Sequence, residues 1–582
     1  MQAPTPLQGL IRDPRRQVAL AALGLLGLCL LVYFNQLGGL GLMDKTEGLF
    51  VEVPRQMLDS GDWVTPRWNG EPFFDYPVWG YWMVALSFKL FGLREWAARL
   101  PSALAATATV LALFAVVLQV APPAECLSRR LARASLCGAV LALSPGWVGW
   151  ARSSVTDMFL ASAISLALLG YALAHANPER PAIRRLGHGA LALFAGVAVL
   201  AKGPIGLLLP GLIILVFLVL KGQLWSEVRQ TPWLPMLALF FGVILPWYAM
   251  ATQANGPAFL AHFLGFSNLE RFTSVIYSHP GPPWFYLPWV VILLLPWSLY
   301  LPVAIARLRF WRLQAWRSNT AADDLPLLAL LWLVVMVAFF SAAATKLPGY
   351  ILPALPGGAL LVGLMFQPVQ PAVDQAPQQG LRLSGWINAV LLALMGIAAA
   401  VAPRFLDSDP SYPEFAEALR STGLPPLLAV VLVAAAVGLG VCLAQNRLRA
   451  LWWPNALAFT ALFGLVVPLL VPLVDAERQR PIRELAALAG RQAASGEPLL
   501  VVGYKRYSVV FYSGRNVLFV VDPREAVGRM SQKPSTVLIF GNDTELLEFG
   551  LGPGDGKLLQ RRGAHRLLRL PSERLRQLAQ QR

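Results

Sequence analysis

About thirteen apolar runs, most of them near the length of a bilayer crossing, constrain this chain more than any other feature. They fall near residues 18–34, 100–120, 134–150, 157–174, 188–201, 204–220, 233–250, 284–305, 326–343, 349–366, 386–402, 425–444 and 452–472. With 56% hydrophobic and only 14% charged residues, the chain cannot fold as an ordinary soluble globule. In hydrocarbon every backbone N–H and C=O needs an internal partner, so the runs read as helices and the chain as a polytopic α-helical membrane protein. The net charge of +16 raises the question of nucleic acid, but lysine and arginine stand in short clusters between apolar runs rather than in one basic stripe. Cys29, Cys126, Cys137 and Cys442 lie in or beside the runs and form no CxxC pair, which argues for neither a metal centre nor a disulfide framework.

The basic clusters orient the chain. Arg12, Arg15 and Arg16 precede the first run, which lacks a small-residue cleavage site and so reads as an uncleaved span running outward from the cytoplasm. The apolar segment 78–91 decides the rest. If it crossed, the next span would place Arg129, Arg130 and Arg133 outside; at about 14 residues it is also short of the roughly 20 a crossing needs. Crowded with Trp79, Tyr81, Trp82 and Phe88, it is expected to lie in the interface as an amphipathic helix. Later clusters, such as Arg180, Arg184 and Arg185 or Arg307, Arg309, Arg312 and Arg317, then fall inside.

An odd number of spans leaves the tail outside. From Asp475 charges return, and short apolar runs (PLLVVGY, NVLFVV, STVLIF) alternate with helix-like stretches, which predicts a small α/β domain of roughly 105 residues. The expected division is a transmembrane unit over 1–474 and a periplasmic α/β domain over 475–582. The tail's GPGDGK string has the wrong spacing for a phosphate loop and no Ser or Thr after the lysine.

With this orientation the unusual polar residues collect on the outer side. Asp44, Glu47 and Asp75 lie in the first outer loop, Asp157 ends ARSSVTD, Lys202 sits in the hairpin AKGPIG, Arg271 lies in the loop 251–283, and Lys346 and Tyr350 lie in TKLPGYILP. Ionisable groups at a bilayer boundary cost free energy unless they line a cavity or act on a substrate. Fixed cations can hold a phosphate while a nearby carboxylate takes a proton from an acceptor. The bland alternative is that Asp44 and Glu47 cap a helix over 47–58 and that each cation snorkels to the headgroups.

DKTEGLFVE, GDWVTPRWNGEPFFDYPVWGYW, RSSVTDMFLAS, AKGPIGLLLPGL, NLERF and TKLPGYILPALP, in this order, resemble the motifs of bacterial dolichyl-phosphate-mannose-protein mannosyltransferase-like enzymes, with the lipid A 4-amino-4-deoxy-L-arabinose transferases as the nearest branch. The resemblance covers the membrane part nearly end to end and implies a GT-C type fold and a glycosyltransferase using an undecaprenyl-phosphate-linked sugar at the periplasmic face. It implies that Asp44 and Asp157 are the two acidic site residues, that Lys346, Tyr350 and Arg271 stand near the donor phosphate, and that Tyr76 and Trp82 belong to the substrate-binding block. Three positions depart from the family pattern. Leu49 stands where an Arg is usual, Tyr76 where a Lys precedes the Pro, and Asn268 where a His contributes to a metal site in some members; no bound metal or other cofactor is therefore expected, despite Asp75.

The expected chemistry is inverting transfer. Asp44 acts as general base, with Glu47 able to substitute in part; Asp157 orients; and Arg271, Lys346 and Lys202 stabilise charge on the departing phosphate. The expected partners are a polyprenyl-phosphate sugar, a lipid, glycan or protein acceptor, and membrane lipids, with no nucleic acid. A flippase of lipid-linked sugars and a non-catalytic membrane scaffold are the alternatives; against the first, the charges gather at one face rather than at mid-membrane and no duplicated halves are visible. The orientation has a direct test. A periplasmic thiol reagent should label a cysteine placed at Gly496 and spare one placed at Trp316; the reverse pattern rejects the orientation.

Overall fold

A computed structural model describes residues 13–122, 125–260, 263, 280–367, 378–405, 415–530, 534–552 and 554–581. Among these, 10 helices are long and apolar enough to cross a membrane, or up to 12 if each of two bent pairs counts as one span. The shorter apolar helix Ile205–Lys221 supplies one more segment. Each of these segments overlaps one of the apolar runs.

Two of these segments are bent at a break. Leu127–Ala142 meets Pro145–Ala151 at 65°, and Tyr286–Leu293 meets Trp297–Leu308 at 112°. Both breaks carry a proline, Pro145 and Pro296, which lacks the N–H that would continue the ladder. The run 452–472 belongs to one helical stretch, Leu448–Gln492, which carries on past the bilayer into the tail, so the 474/475 division falls inside a continuous helix.

The segment between the first two spans holds two helices, Glu47–Ser60 and Trp79–Phe91, joined through the two-residue antiparallel pair β1 (Arg67–Trp68) and β2 (Glu71–Pro72). Phe50, Val53, Tyr81, Val84 and Phe88 from these helices pack in one buried cluster with Phe159 and Trp247 of the spans and Phe511 of the tail. That apolar face packs the helix Trp79–Phe91 against the bundle.

In the tail, β3 (Leu499–Val502), β4 (Val517–Val520), β5 (Thr536–Asn542), β6 (Lys557–Arg562) and β7 (His565–Pro571) form one mixed sheet in the order β4-β3-β5-β7-β6. β3 runs parallel to β4 and β5, with Leu500 opposite Leu518 and Ile539; β7 is antiparallel to β5 and β6. Leu499 and Val501 face one apolar layer with Leu485 and Ala489, and Leu500 and Val502 face another with Ala526, Leu546 and Leu575. Helices on both faces explain why this strand is apolar at every position.

Candidate active site

Three carboxylates, Glu47, Asp157 and Asp44, lie in three different environments. Glu47 is 1% exposed and accepts four hydrogen bonds: Arg99 Nε (2.8 Å) and the Ser154 amide (2.8 Å) on one oxygen, Arg99 Nη2 (2.6 Å) and the Met43 amide (3.1 Å) on the other. Burial pushes Glu47 up, and Arg99 with the two amides more than offsets this, so its carboxyl titrates below the ordinary range. Arg99 also binds the carbonyls of Leu37 (2.9 Å), Leu40 (2.6 Å) and Gly41 (3.0 Å). The expectation that Glu47 could share the work of a base meets this geometry: both its oxygens are committed, and it fastens the loop carrying Asp44 to the loop leading to Asp157.

Asp157 pairs with the ammonium of Lys202. The Lys202 nitrogen stands 4.6 Å from the centre of the Tyr350 ring and 5.7 Å from that of Tyr76, a cation held between two aromatic faces. Four residues expected at the site, from four separate stretches of chain, are thus brought together. The turn that delivers Tyr350 passes hard against the carboxylate, since a Cβ at Gly349 would lie 3.1 Å from Asp157 Oδ2 and 3.0 Å from the Trp150 ring.

Asp44 is half-buried, and its Oδ1 accepts the amide N–H of Ser508 (2.9 Å) in the tail. Burial raises its pKa above the ordinary 3.8, with Ser508 and the Arg506 charge acting the other way. Of the three carboxylates it is the one without a cation within salt-bridge distance among the described residues.

Lys346 is held by backbone. Its ammonium donates to the carbonyls of Ser341 (2.8 Å), Ala343 (2.6 Å) and Phe340 (3.4 Å) at the end of the span Leu325–Ala342, with the Tyr286 ring at 5.8 Å. Arg152 is likewise drawn to backbone, donating to the carbonyls of Val32 (3.0 Å) and Asn35 (2.8 Å) at the end of the first span. Trp82 Nε1 donates to the Trp63 carbonyl (2.8 Å), fixing the stretch between the two interfacial helices. Arg271 and Asn268 lie outside the described residues. Among the described residues no group of three His, Cys, Asp or Glu side chains is placed to hold a metal ion.

Sequence reading passed over Arg99, Ser508 and Tyr512. Arg99 carried a usable signal, an arginine near the outer end of an apolar run, the reasoning that singled out Asp44. Ser508 and Tyr512 carried none, being ordinary residues of a soluble domain.

The architecture and site define a multi-pass membrane protein with a carboxylate, cation and aromatic cluster at one face. Residues 75–249 match the family model for dolichyl-phosphate-mannose-protein mannosyltransferase. Residues 492–582 match the C-terminal domain of cyanobacterial RgtA-type glycosyltransferases. The chain is 34% identical over 392 residues to an undecaprenyl phosphate-alpha-4-amino-4-deoxy-L-arabinose arabinosyl transferase of Pseudomonas aeruginosa, covering 66% of this chain and 65% of that one. A protein of the same name from Shewanella sediminis is 31% identical over 374 residues, 64% of each chain, so the similarity spans just under two thirds of these relatives' length. The crystal structure of ArnT from Cupriavidus metallidurans bound to undecaprenyl phosphate shares the fold, with a TM-score of 0.72 at 22% identity over 94% of this chain and 97% of that one.

The Arg99–Glu47 pair generates a prediction. Glu47→Gln leaves the Arg99 guanidinium buried against a neutral amide and should lower stability by about 3–5 kcal/mol. Thermal unfolding in detergent measures it, and an unchanged midpoint would show that the pair is not closed to water as described.

Proposed function

We propose that this protein is an integral-membrane glycosyltransferase that moves a sugar from a polyprenyl-phosphate donor, of the undecaprenyl-phosphate type, to an envelope acceptor such as lipid A, another glycolipid or a protein. The observation that carries the reading is the cluster of Asp157, Lys202, Tyr350 and Tyr76, a fixed cation between aromatic rings at the ends of spans. In this reading the inner membrane holds the protein, the N-terminus is cytoplasmic, residues 1–474 form the transmembrane catalytic unit, and residues 475–582 stand in the periplasm. The names of the relatives support the donor class.

Lys202 meets the donor phosphate with the N–H groups that Asp157 leaves over, and Asp157 holds it in place. Arg271 is a further cation of the phosphate site, and so is Lys346 once it exchanges its carbonyl partners at the end of the span Leu325–Ala342 for the phosphate; the Tyr350 and Tyr76 rings flank the sugar-phosphate junction. Asp44 is the base: Glu47 is committed to Arg99 and Asp157 is paired with Lys202, whereas Asp44 has no cation within salt-bridge distance among the described residues and has a raised proton affinity. The acceptor oxygen gives its proton to Asp44 and bonds to the anomeric carbon as the bond from that carbon to the phosphate oxygen breaks. The polyprenyl phosphate leaves with the electron pair, and the configuration inverts.

Purified protein supplied with a radiolabelled polyprenyl-phosphate sugar tests the class. Transfer to an acceptor marks an enzyme, movement of the lipid without transfer a flippase, and neither a scaffold. Asp44→Asn should lower turnover by roughly 10² to 10⁴ while donor still binds. In the parent protein kcat/KM should fall on the acid side through a group titrating above the ordinary 3.8 of an aspartate, because the base works only deprotonated and its pKa is raised. Near-normal transfer by Asp44→Asn rejects the assignment, and loss by Asp157→Asn alone moves it to Asp157. Lys346→Ala and Lys202→Ala should each weaken donor use by about 1.5 to 3 kcal/mol, measured as kcat/KM for the donor; unchanged values in both would remove the phosphate role.

A further inference from the structure

The loop that carries Asp44 is held from two sides, and the second side is the tail. On the membrane side Arg99 binds the carbonyls of residues 37, 40 and 41. On the tail side three consecutive contacts fall on the same short stretch. The Gly41 amide donates to Asp475 Oδ1 (2.8 Å), the Leu42 amide to the Tyr512 hydroxyl (2.8 Å), and Asp44 Oδ1 accepts from the Ser508 amide (2.9 Å). Tyr512 in turn donates to Glu95 (3.1 Å), so its hydroxyl is fixed at both ends. Gly48 is pressed on the same segment: a Cβ there would lie 2.5 Å from Ser508 N, closer than atoms can approach.

The docking is anchored independently beyond the loop. Asn69 bonds both ways with the edge strand β4, donating to the Val517 carbonyl (2.9 Å) and accepting its amide (2.8 Å). The Trp68 ring stacks on Phe519 with centroids 6.0 Å apart. Arg483 bridges Asp475 and Glu95 at 3.0 Å each. A tail so tied, whose contacts concentrate on residues 41–48, sets the position of those residues. The Ser508 amide bonded to Oδ1 restrains the rotation of that carboxylate.

We propose that the C-terminal domain is a positioning element of the transfer site, holding Asp44 in its working orientation through Tyr512 and the Ser508 amide. The inference rests on the reading of Asp44 as base. It implies that catalysis requires the tail to stay seated, and that the tail acts on turnover rather than on donor binding.

Tyr512→Phe, which removes one hydroxyl, and Gly48→Ala, which pushes the Ser508 segment away, test it in the full-length protein. Each is compared with Asp44→Asn and with Arg574→Ala, which breaks the ion pair to Asp555 elsewhere in the tail. Tyr512→Phe and Gly48→Ala should each lower kcat about 10-fold to 100-fold, since small displacements of a reacting group cost that much, with donor KM changed by less than about 2-fold. Arg574→Ala should leave both parameters unaltered. Combining Tyr512→Phe with Asp44→Asn should cause no loss beyond Asp44→Asn alone, because the hydroxyl acts through that carboxylate. Normal kcat in both Tyr512→Phe and Gly48→Ala, an equal fall in Arg574→Ala, or an additive loss in the double variant overturns the proposal while Asp44→Asn still reports on the base. Normal turnover by Asp44→Asn overturns both.

Discussion

The Arg99 guanidinium, 3% exposed near the N-terminal end of the span Glu95–Val120, is the contact on which this face of the protein depends. Its N–H groups meet two oxygens of Glu47 and three loop carbonyls. Those carbonyls belong to no helix and are shielded by the fold, so an unpaired one would be costly. The pair is itself expensive to bury, and it is tolerated because the remaining lone pairs of Glu47 are filled by the Met43 and Ser154 amides. The same carboxylate that neutralises Arg99 therefore ties the first outer loop to the loop leading to Asp157.

From that tie follows a division of labour among residues that look alike in sequence. Lys346 and Arg152 turn to the carbonyl ends of spans, where partial negative charge and unsatisfied acceptors await them. Lys202, held by Asp157 between Tyr350 and Tyr76, is the cation set among aromatic faces. Glu47 is locked, Asp157 is paired, and Asp44 sits under the tail with its proton affinity raised by burial. Chemical type alone does not separate these roles; partners do.

The tail completes the arrangement. A mixed sheet with helices on both faces is a rigid body, and its contacts to Gly41, Leu42, Asp44 and Asn69 transmit that rigidity to a loop without regular structure of its own. Because the helical stretch Leu448–Gln492 enters the tail without interruption, the position of the sheet over the outer face is set by the last membrane span.

Much of this was legible in the sequence, for a local reason. Bilayer thickness and the cost of an unpaired backbone group act on each run of about twenty residues separately, so apolar length located the candidate spans, and the alternation after Asp475 marked the α/β tail. The motif blocks likewise named Asp157, Lys202, Tyr350 and Tyr76 before they were seen to meet. What only the tertiary structure decided were pairings between distant residues: Arg99 with Glu47 across 52 positions, the Ser508 amide with Asp44 across 464, and the Tyr512 hydroxyl with the Leu42 amide across 470. The breaks near Ser144 and Pro296 belong here too, because a proline in a membrane helix bends it only where neighbouring helices take up the freed groups. Hydropathy reports how much a stretch prefers hydrocarbon; which carboxylate is locked and which remains able to accept a proton depends on what the fold sets against it.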